Sequence, residues 1–355
     1  MVKLYEYEGK ALFKRYGIPV PDGQVVKSAD ELTFKDFPVA LKSQVLVGGR
    51  GKAGGIKFAE NETEAKQKIE ELLRLNIHSF PVRKVLIEKK IQIDKEIYIS
   101  ITLDRSARLP VILASGEGGV DIEDVSEDKL FKHHIHPLIG ITPYITRKLT
   151  KKLELEKTVG AQVISILQKL YEIFRKEDAE LVEINPLVIS NDAALAGDAK
   201  VIIEDDALFR HPEYRKISDD LTDIERRARE KDIAFIQLDG DIGVIANGAG
   251  LTMATLDSLL LHGGKPGVFL DLGGTDDPEK VKQAFILMKD AHPKAIFVNI
   301  FGGITKCDTV AKGIVDAMQC DERRFPTVAR IKGVNEDDAK RILTESGFVF
   351  AESLD

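Results

Sequence analysis

Gly243-Val244-Ile245-Ala246-Asn247-Gly248-Ala249-Gly250 carries an apolar strand straight into glycines and then into a helical pattern. The arrangement returns twice, as Val268-Phe269-Leu270-Asp271-Leu272-Gly273-Gly274 and as Ile296-Phe297-Val298-Asn299-Ile300-Phe301-Gly302-Gly303. Glycine at the carboxyl end of a strand lets a ligand approach backbone closely. The helix behind it turns bare N–H groups and a positive dipole end toward the same place, which suits an anion. A repeat of such turns along one sheet locates a ligand in the crevice outside the carboxyl ends of the strands.

Working outward, strand patterns near 242–247, 267–272, 295–301, 327–331 and 347–351 alternate with helical patterns near 252–262, 277–290, 305–319 and 335–346. That alternation predicts an α/β domain over 233–355, a parallel sheet with helices on both faces. Residues 1–232 mix strands and helices without regular alternation and are expected to form a separate domain. A helix over Glu6–Tyr16 stops at Gly17 before Pro19, and a second starts at Asn61 with Glu64 three residues on, in the manner of a capping box. Strand-like runs cover 38–45, 84–91, 96–103, 109–114, 179–189 and 193–203, and helical periodicity covers 147–174. The charged stretch Ser218–Glu230 between the two domains reads as a solvated linking helix. The terminal Glu352-Ser353-Leu354-Asp355 resembles the cap of a helix that does not follow.

A length of 355 residues supports two or three domains with real cores. The net charge is −7 and no basic run interleaves with aromatics, which argues against nucleic acid as a partner. No apolar stretch approaches the roughly 18 residues of a membrane span. The N-terminal Met1-Val2-Lys3-Leu4-Tyr5-Glu6-Tyr7-Glu8 lacks the apolar centre of a signal peptide. Cys307 and Cys320 are the two cysteines. On one helix they would lie roughly 20 Å apart, too far for a disulfide. The expectation is a reducing, cytoplasmic compartment.

Two stretches of the first domain carry chemistry. Val45-Leu46-Val47-Gly48-Gly49-Arg50-Gly51-Lys52-Ala53-Gly54-Gly55-Ile56-Lys57 joins glycines to Arg50, Lys52 and Lys57 in a cationic flap fit to cover a polyphosphate. It is not a Walker loop, because Ala53 follows Lys52. The competing view is a flexible surface hairpin. Lys42, in the apolar strand just upstream, either snorkels or aims at a ligand phosphate, and its proximity to the flap favours the ligand.

The second stretch is Glu180-Leu181-Val182-Glu183-Ile184-Asn185-Pro186-Leu187-Val188-Ile189. A period of two puts Glu183 and Asn185 on one face and Val182 and Ile184 on the other. With Asn191-Asp192 as a two-residue turn, Ser190 pairs with Ala193, Asn185 then faces Asp198, and Glu183 faces Lys200. Directly opposed side chains have Cβ atoms about 5 Å apart, so an amide oxygen and a carboxylate can share one Mg²⁺. The alternative is a cross-strand polar pair on a solvated face. The seven histidines suggest no catalytic role: His262 closes a helix, and His133-His134-Ile135-His136 splits its side chains across strand faces.

These motifs together resemble a known family. Leu4-Tyr5-Glu6-Tyr7-Glu8-Gly9-Lys10, Arg15-Tyr16-Gly17-Ile18-Pro19, Gly48-Gly49-Arg50-Gly51-Lys52-Ala53-Gly54-Gly55, Glu183-Ile184-Asn185-Pro186-Leu187-Val188, Asn247-Gly248-Ala249-Gly250-Leu251 and Asn299-Ile300-Phe301-Gly302-Gly303-Ile304 occur in the order found in the β subunit of succinyl-CoA synthetase, or succinate–CoA ligase. The resemblance covers the whole chain. It implies an N-terminal ATP-grasp domain of α+β type over 1–232 and a flavodoxin-like CoA-ligase domain over 233–355. It implies ATP or ADP contacts from Lys42, Gly49, Arg50, Gly51, Glu88, the backbone near Ile91, and Glu96, with GTP or GDP disfavoured by Pro21 and Gly49. Asn185 and Asp198 would hold Mg²⁺. Asn247, Gly303, Ile304 and Thr305 match substrate and phosphate positions. Glu183 matches an acid facing a phosphorylated histidine carried, with most of the CoA site, by an α-subunit partner. The helix opening at Thr305, capped by Asp308, would stabilise that phosphohistidine.

The implied reaction interconverts succinyl-CoA, ADP and phosphate with succinate, CoA and ATP. Where the family usually has a third glycine after Gly273-Gly274, Thr275 and Asp276 stand here, which bears on the acid bound. Malate– and citrate–CoA ligase subunits therefore remain rivals on the same scaffold. A nucleotide-binding dehydrogenase lacks the Gly-x-Gly-x-x-Gly pattern at the first turn. A non-catalytic ATP-sensing subunit is the remaining class.

Overall fold

A computed structural model describes residues 2–77, 80–214, 221–320 and 323–353. The chain forms two compact units, 1–220 and 221–355. The first contains β1 (Val2–Lys3), α1 (Glu6–Arg15), β2 (Gly23–Val26), β3 (Val39–Ser43), β4 (Ile56–Ala59), α2 (Glu62–Leu73), β5 (Asn76–Ile77), β6 (Phe80–Pro81), β7 (Val85–Lys89), β8 (Lys95–Asp104), β9 (Leu109–Ser115), β10 (Leu130–His134), α3 (Pro143–Lys152), α4 (Lys157–Lys176), β11 (Ala179–Ser190), β12 (Ala193–Ala196) and β13 (Lys200–Ile203). The second contains α5 (Asp223–Glu230), β14 (Ala234–Gln237), β15 (Ile242–Ala246), α6 (Ala249–Leu261), β16 (Pro266–Asp271), α7 (Pro278–Asp290), β17 (Ala295–Gly302), α8 (Cys307–Gln319), β18 (Thr327–Gly333), α9 (Glu336–Glu345) and β19 (Val349–Phe350).

Two antiparallel sheets and the short β5-β6 pair build the first unit. The larger runs β1-β13-β11-β8-β9-β10, with β12 also on β11, and the smaller runs β2-β7-β3-β4. One face of the larger sheet presents Ile97, Ile99, Ile101, Ile112, Val182 and Ile184 to the α4 stripe of Val163, Ile166, Leu167, Leu170 and Ile173. The other face is polar and carries Ser100 opposite Glu183. The smaller sheet has its own core, where Val39, Leu41, Val85 and Ile87 pack on Ala65, Ile69 and Leu72 of α2. Helix α1 ends at Gly17, whose φ of 73° suits glycine, and the Asn61 side chain caps α2 by accepting the Glu64 N–H.

In the second unit the parallel strands lie in the order β16-β15-β17-β18-β19. Ranked by chain position this is 2-1-3-4-5, the flavodoxin-like order, whose ligand crevice opens where the winding reverses beside the first strand. The sheet is not wholly parallel as the sequence pattern predicts: β14 adds antiparallel to β16 at the edge. Only Phe235 of β14 is buried, so so short and exposed a strand leaves almost no periodic signal. Helix α5 also differs from expectation. It buries Ala228 in the second unit's core and so groups with that unit. The remainder of the predicted linking helix, 218–220, lies outside the described residues, as do His78 and the final Leu354-Asp355.

Leu167, fully buried between α4 and the larger sheet, tests this layering. Leu167→Ala should destabilise the protein by about 2–5 kcal/mol, read as a lower urea midpoint.

Candidate active site

Helix α1, the smaller sheet and the end of the larger sheet converge on a buried ionic cluster. Lys42 on β3 and Glu88 on β7 share one face of the smaller sheet, because Ala40 pairs with Glu88 and Lys42 with Leu86. Lys42 Nζ lies 2.9 Å from Glu6 Oε1, 2.9 Å from Glu88 Oε2 and 2.6 Å from the Gly197 carbonyl oxygen. Lys10, one turn along α1 from Glu6, reaches Glu88 at 2.6 Å and the same Gly197 carbonyl at 2.9 Å. Arg50, from the glycine flap, bonds Glu6 at 2.6 Å and Asp198 at 3.0 Å. Three cations thus face three carboxylates. Burial would raise the Glu6 carboxyl, but Arg50, Lys10 and Lys42 overcome it and hold the acid well below its ordinary range. Burial pulls the Lys10 ammonium down despite Glu6 and Glu88, whereas Lys42 is raised, its burial outweighed by Glu6, Glu88 and Asp198.

The flap is a compact turn. Gly55 N–H donates to the Arg50 carbonyl at 2.8 Å and Ala53 N–H to the Gly49 carbonyl at 3.1 Å. Gly49 takes φ 75°, and a Cβ at Gly55 would meet the Arg50 backbone carbonyl oxygen at 2.9 Å, so both positions favour glycine. Lys52 reaches Asp121 at 2.6 Å. Ile91 is half-buried in the connection from β7 to β8, and Glu96 follows on β8.

The hairpin register is as the turn chemistry predicts: Ser190 opposes Ala193, and Glu183 opposes Lys200. The predicted strand over 193–203 is instead broken into β12 and β13, and Asp198 sits in the break. No ladder pairing joins Asn185 to Asp198. Between the two paired stretches, Gly197 N–H donates to the Pro186 carbonyl at 2.9 Å. Asn185 turns its amide to a second glycine loop, 116–121: its Oδ1 accepts the Gly119 N–H at 2.7 Å and its Nδ2 donates to the Val120 carbonyl at 2.9 Å. Sequence reasoning missed this loop, although Gly116-Glu117-Gly118-Gly119 after a strand was a visible signal. A Cβ at Gly118 would meet Ile97 N at 2.7 Å. An amide oxygen and a carboxylate, both hard donors, fit the one or two protein ligands Mg²⁺ usually takes. Asp198 now answers Arg50, so a cation already balances the carboxylate a metal would use.

Glu183 lies on the polar face of the larger sheet, its side chain 15% exposed. Tyr98 donates to Glu183 Oε2 at 2.9 Å and also lies 2.9 Å from Ser100 Oγ. Burial pushes the Glu183 carboxyl up; Lys200, 3.9 Å away, and Tyr98 only partly oppose it. Tyr98 was invisible to the motif search because alternation alone marks it as one more strand aromatic.

In the second unit, Asn247 follows β15 and straps it to β17: its Nδ2 donates to the Phe301 carbonyl and its Oδ1 accepts the Phe301 N–H, both at 2.9 Å. Asp271 Oδ1 gathers the Gly248 and Gly273 N–H groups at 2.7 and 2.8 Å. Gly273, Gly274 and Gly303 form an open rim, where a Cβ would meet no heavy atom within 4 Å, and Ile304 beside them is exposed. Thr305 is buried and accepts the Thr275 N–H at 3.0 Å. Helix α8 begins at Cys307, not at the expected Thr305, and Asp308 does not cap it. The Asp308 carboxylate instead receives Asn335 Nδ2, at the start of α9, at 2.8 Å and Lys312, one turn on in α8 itself, at 2.9 Å.

Other clusters hold none of the predicted residues. An open cavity of about 970 Å³ lies between β10 and α3, with Lys132, Lys148 and Lys151 on its wall. Glu177, His211 and Glu213 offer donor atoms within 4.8 Å of one another, but Glu177 is already engaged by Arg15, Tyr16 and Tyr214. His134 bonds Asp104 at 2.8 Å and His133 packs near Phe131 and Tyr144, in keeping with a structural histidine cluster.

The ionic cluster predicts an acid-side weakness. Glu6 has a depressed folded value, so its contribution is complete above the ordinary 4.5 and is lost as pH falls through the folded value. Stability measured by urea unfolding should fall below pH 4.5 in the native chain and fall less steeply in Glu6→Gln. Lys10→Met, which leaves buried carboxylates short of a cation, should cost about 3–5 kcal/mol at neutral pH.

Comparison with known proteins agrees with this two-domain fold. Residues 3–189 match the family model for the ATP-grasp domain, and residues 245–355 match that for CoA-ligase. The β subunit of ADP-forming succinate–CoA ligase from Ignicoccus hospitalis is 44% identical over 363 residues, covering 100% of this chain and 96% of that protein. The Methanocaldococcus jannaschii β subunit of the same name is 45% identical over 362 residues, covering 100% and 97%. That of Aquifex aeolicus is 44% identical over 373 residues, covering 99% and 96%. Among solved structures, ATP citrate lyase from Methanothrix soehngenii, in complex with citrate and coenzyme A, superposes with a TM-score of 0.76 at 17% identity, over 98% of this chain and 95% of that one, a likeness of fold. With both family models and relatives matched over nearly their whole length in agreement, the chain belongs to the family of ADP-forming succinate–CoA ligase β subunits.

Proposed function

We propose that this chain is the nucleotide- and Mg²⁺-handling subunit of a two-subunit ligase that interconverts succinyl-CoA, ADP and phosphate with succinate, CoA and ATP. The observation that carries the reading is the balanced, largely buried cluster of Lys10, Lys42 and Arg50 with Glu6, Glu88 and Asp198. It holds a lysine and an arginine at fixed positions beside a glycine flap, which suits a polyphosphate. Family membership, with full-length coverage by β subunits of this name, supports the same activity.

Lys42 and Arg50 neutralise nucleotide phosphates, the N–H groups of Gly49 and Gly51 cradle them, and Glu88, Ile91 and Glu96 line the remainder of the nucleotide site. Asn185 and Asp198 would hold Mg²⁺, which would supply charge neutralisation at the transferring phosphoryl group. Pro21 and Gly49 favour ADP over GDP. Glu183, raised by burial, faces the imidazole of a phosphohistidine on an α-type partner, which brings that histidine and most of the CoA site. Asn247, Gly303, Ile304 and Thr305 shape the turn that receives the phosphoryl group and the acid in the second unit. Free thiols at Cys307 and Cys320 accord with a reducing, cytoplasmic setting.

Co-purification from the native cell should recover a CoA-ligase-type companion bearing phosphohistidine. The pair should turn over succinate in a coupled assay; activity with malate or citrate alone would overturn the choice of acid. The chain by itself should bind Mg-ADP yet form no acyl-CoA. Glu183→Gln should cut turnover by about 10²-fold or more while leaving Mg-ADP affinity near the native value. A variant complex with native turnover would remove Glu183 from the mechanism.

A further inference from the structure

Thr275 and Asp276 follow the open glycines of the β16–α7 turn, and both are engaged with the next turn. Asp276 Oδ2 lies 2.6 Å from Lys306 Nζ, and Asp276 Oδ1 accepts Thr309 Oγ1 at 2.8 Å. Beside them the Thr275 N–H donates to Thr305 Oγ1 at 3.0 Å. The β16–α7 and β17–α8 loops are therefore tied by three contacts, two of them to one carboxylate. The tie is asymmetric. Asp276 keeps Thr309 whatever Lys306 does, whereas Asp276 is the one carboxylate within ion-pair distance of Lys306 among the described residues. The Lys306 side chain is 49% exposed and that of Asp276 37%. A pair this open to water is weak and exchanges readily for another anion.

Lys306 also stands three residues beyond Gly303, at the rim where Gly273, Gly274 and Gly303 leave backbone uncovered. Its ammonium is thus a long-reaching, releasable cation beside an open glycine turn at the switch point of the sheet. We propose that Lys306 is the cation that meets the phosphate group at the Gly302-Gly303 turn, and that Asp276 is a positioning residue that parks its ammonium until that group arrives. The inference rests on the ligase reading for the location of the phosphate. In the resting chain the ammonium belongs to Asp276. An incoming phosphate dianion draws it away, while the Asp276–Thr309 and Thr275–Thr305 bonds keep the two loops in place. Asp276 thereby competes with phosphate for one cation and sets how weakly phosphate is held.

The test uses the complete α/β complex, with initial rates of ATP formation from succinyl-CoA and ADP at varied inorganic phosphate. Lys306→Met should raise KM for phosphate about tenfold, with Lys306→Arg restoring most of the loss. Asp276→Asn should shift KM the opposite way, lowering it about threefold while kcat stays within about twofold, because the ammonium loses its competing anion. A merely structural tie would lower thermal stability in both variants and leave KM for phosphate unchanged, and that result overturns the proposal. The ligase reading fails separately, if the native complex forms no ATP. In that event the ¹³Cε signal of Lys306, assigned by its absence in Lys306→Arg, is followed in the full chain under inorganic phosphate. A saturable shift, tighter in Asp276→Asn, supports the parked cation, and a signal indifferent to phosphate rejects it.

Discussion

A buried carboxylate must have partners, and Glu6 has three cationic ones: Lys10, Lys42 and Arg50. Around it the first unit is assembled. The cations come from α1, from the smaller sheet and from the glycine flap, and their other partners, Glu88 and Asp198, lie on β7 and in the break between β12 and β13. Taking any one charge away would leave others desolvated and unmatched, which is far costlier than losing a surface pair. The flap is therefore not free to wander despite its glycines, since Arg50 pins its base. The break in the strand at Gly197 serves the same requirement: the buried carbonyl there accepts from both Lys10 and Lys42.

The second unit solves a different problem with neutral groups. Its sheet order opens a crevice, and the strand ends there must be held apart without filling it. Asn247 bridges two strands through backbone partners, and Asp271 collects two glycine N–H groups, so the polar side chains at the rim serve as struts. The uncovered surface is left to glycine backbone. That division of labour matches an anion site better than a ring of free side chains would, because backbone N–H groups lose no side-chain entropy on binding.

Much of this was legible in the residues. The Asn191-Asp192 turn set the hairpin register down to Glu183 opposite Lys200, and the repeated strand–glycine–helix pattern announced the parallel sheet. Other features escaped for identifiable reasons. Glu6 and Lys10 look like an ordinary i, i+4 surface pair on a helix, and nothing local says that they are buried. Strand β14 buries a single residue. The start of α8 moved because Lys306 and Thr305 are drawn to the neighbouring turn. Asn185 was correctly placed on the polar face, but the loop its amide holds lies 66 residues away in sequence, beyond any local pattern.

Most of the elements, their faces and the residue types available for phosphate and metal were readable from the chain alone, because periodicity, turn residues and glycine constraints act over a few positions. The sequence determined the family as well, through motifs that survive in order along the whole chain. Tertiary structure alone decided which charges became partners. Arg50 and Asp198 are 148 residues apart, and their 3.0 Å contact exists only because two sheets and a helix close around them. Electrostatics at that range depends on burial and geometry, which no local stretch of sequence encodes.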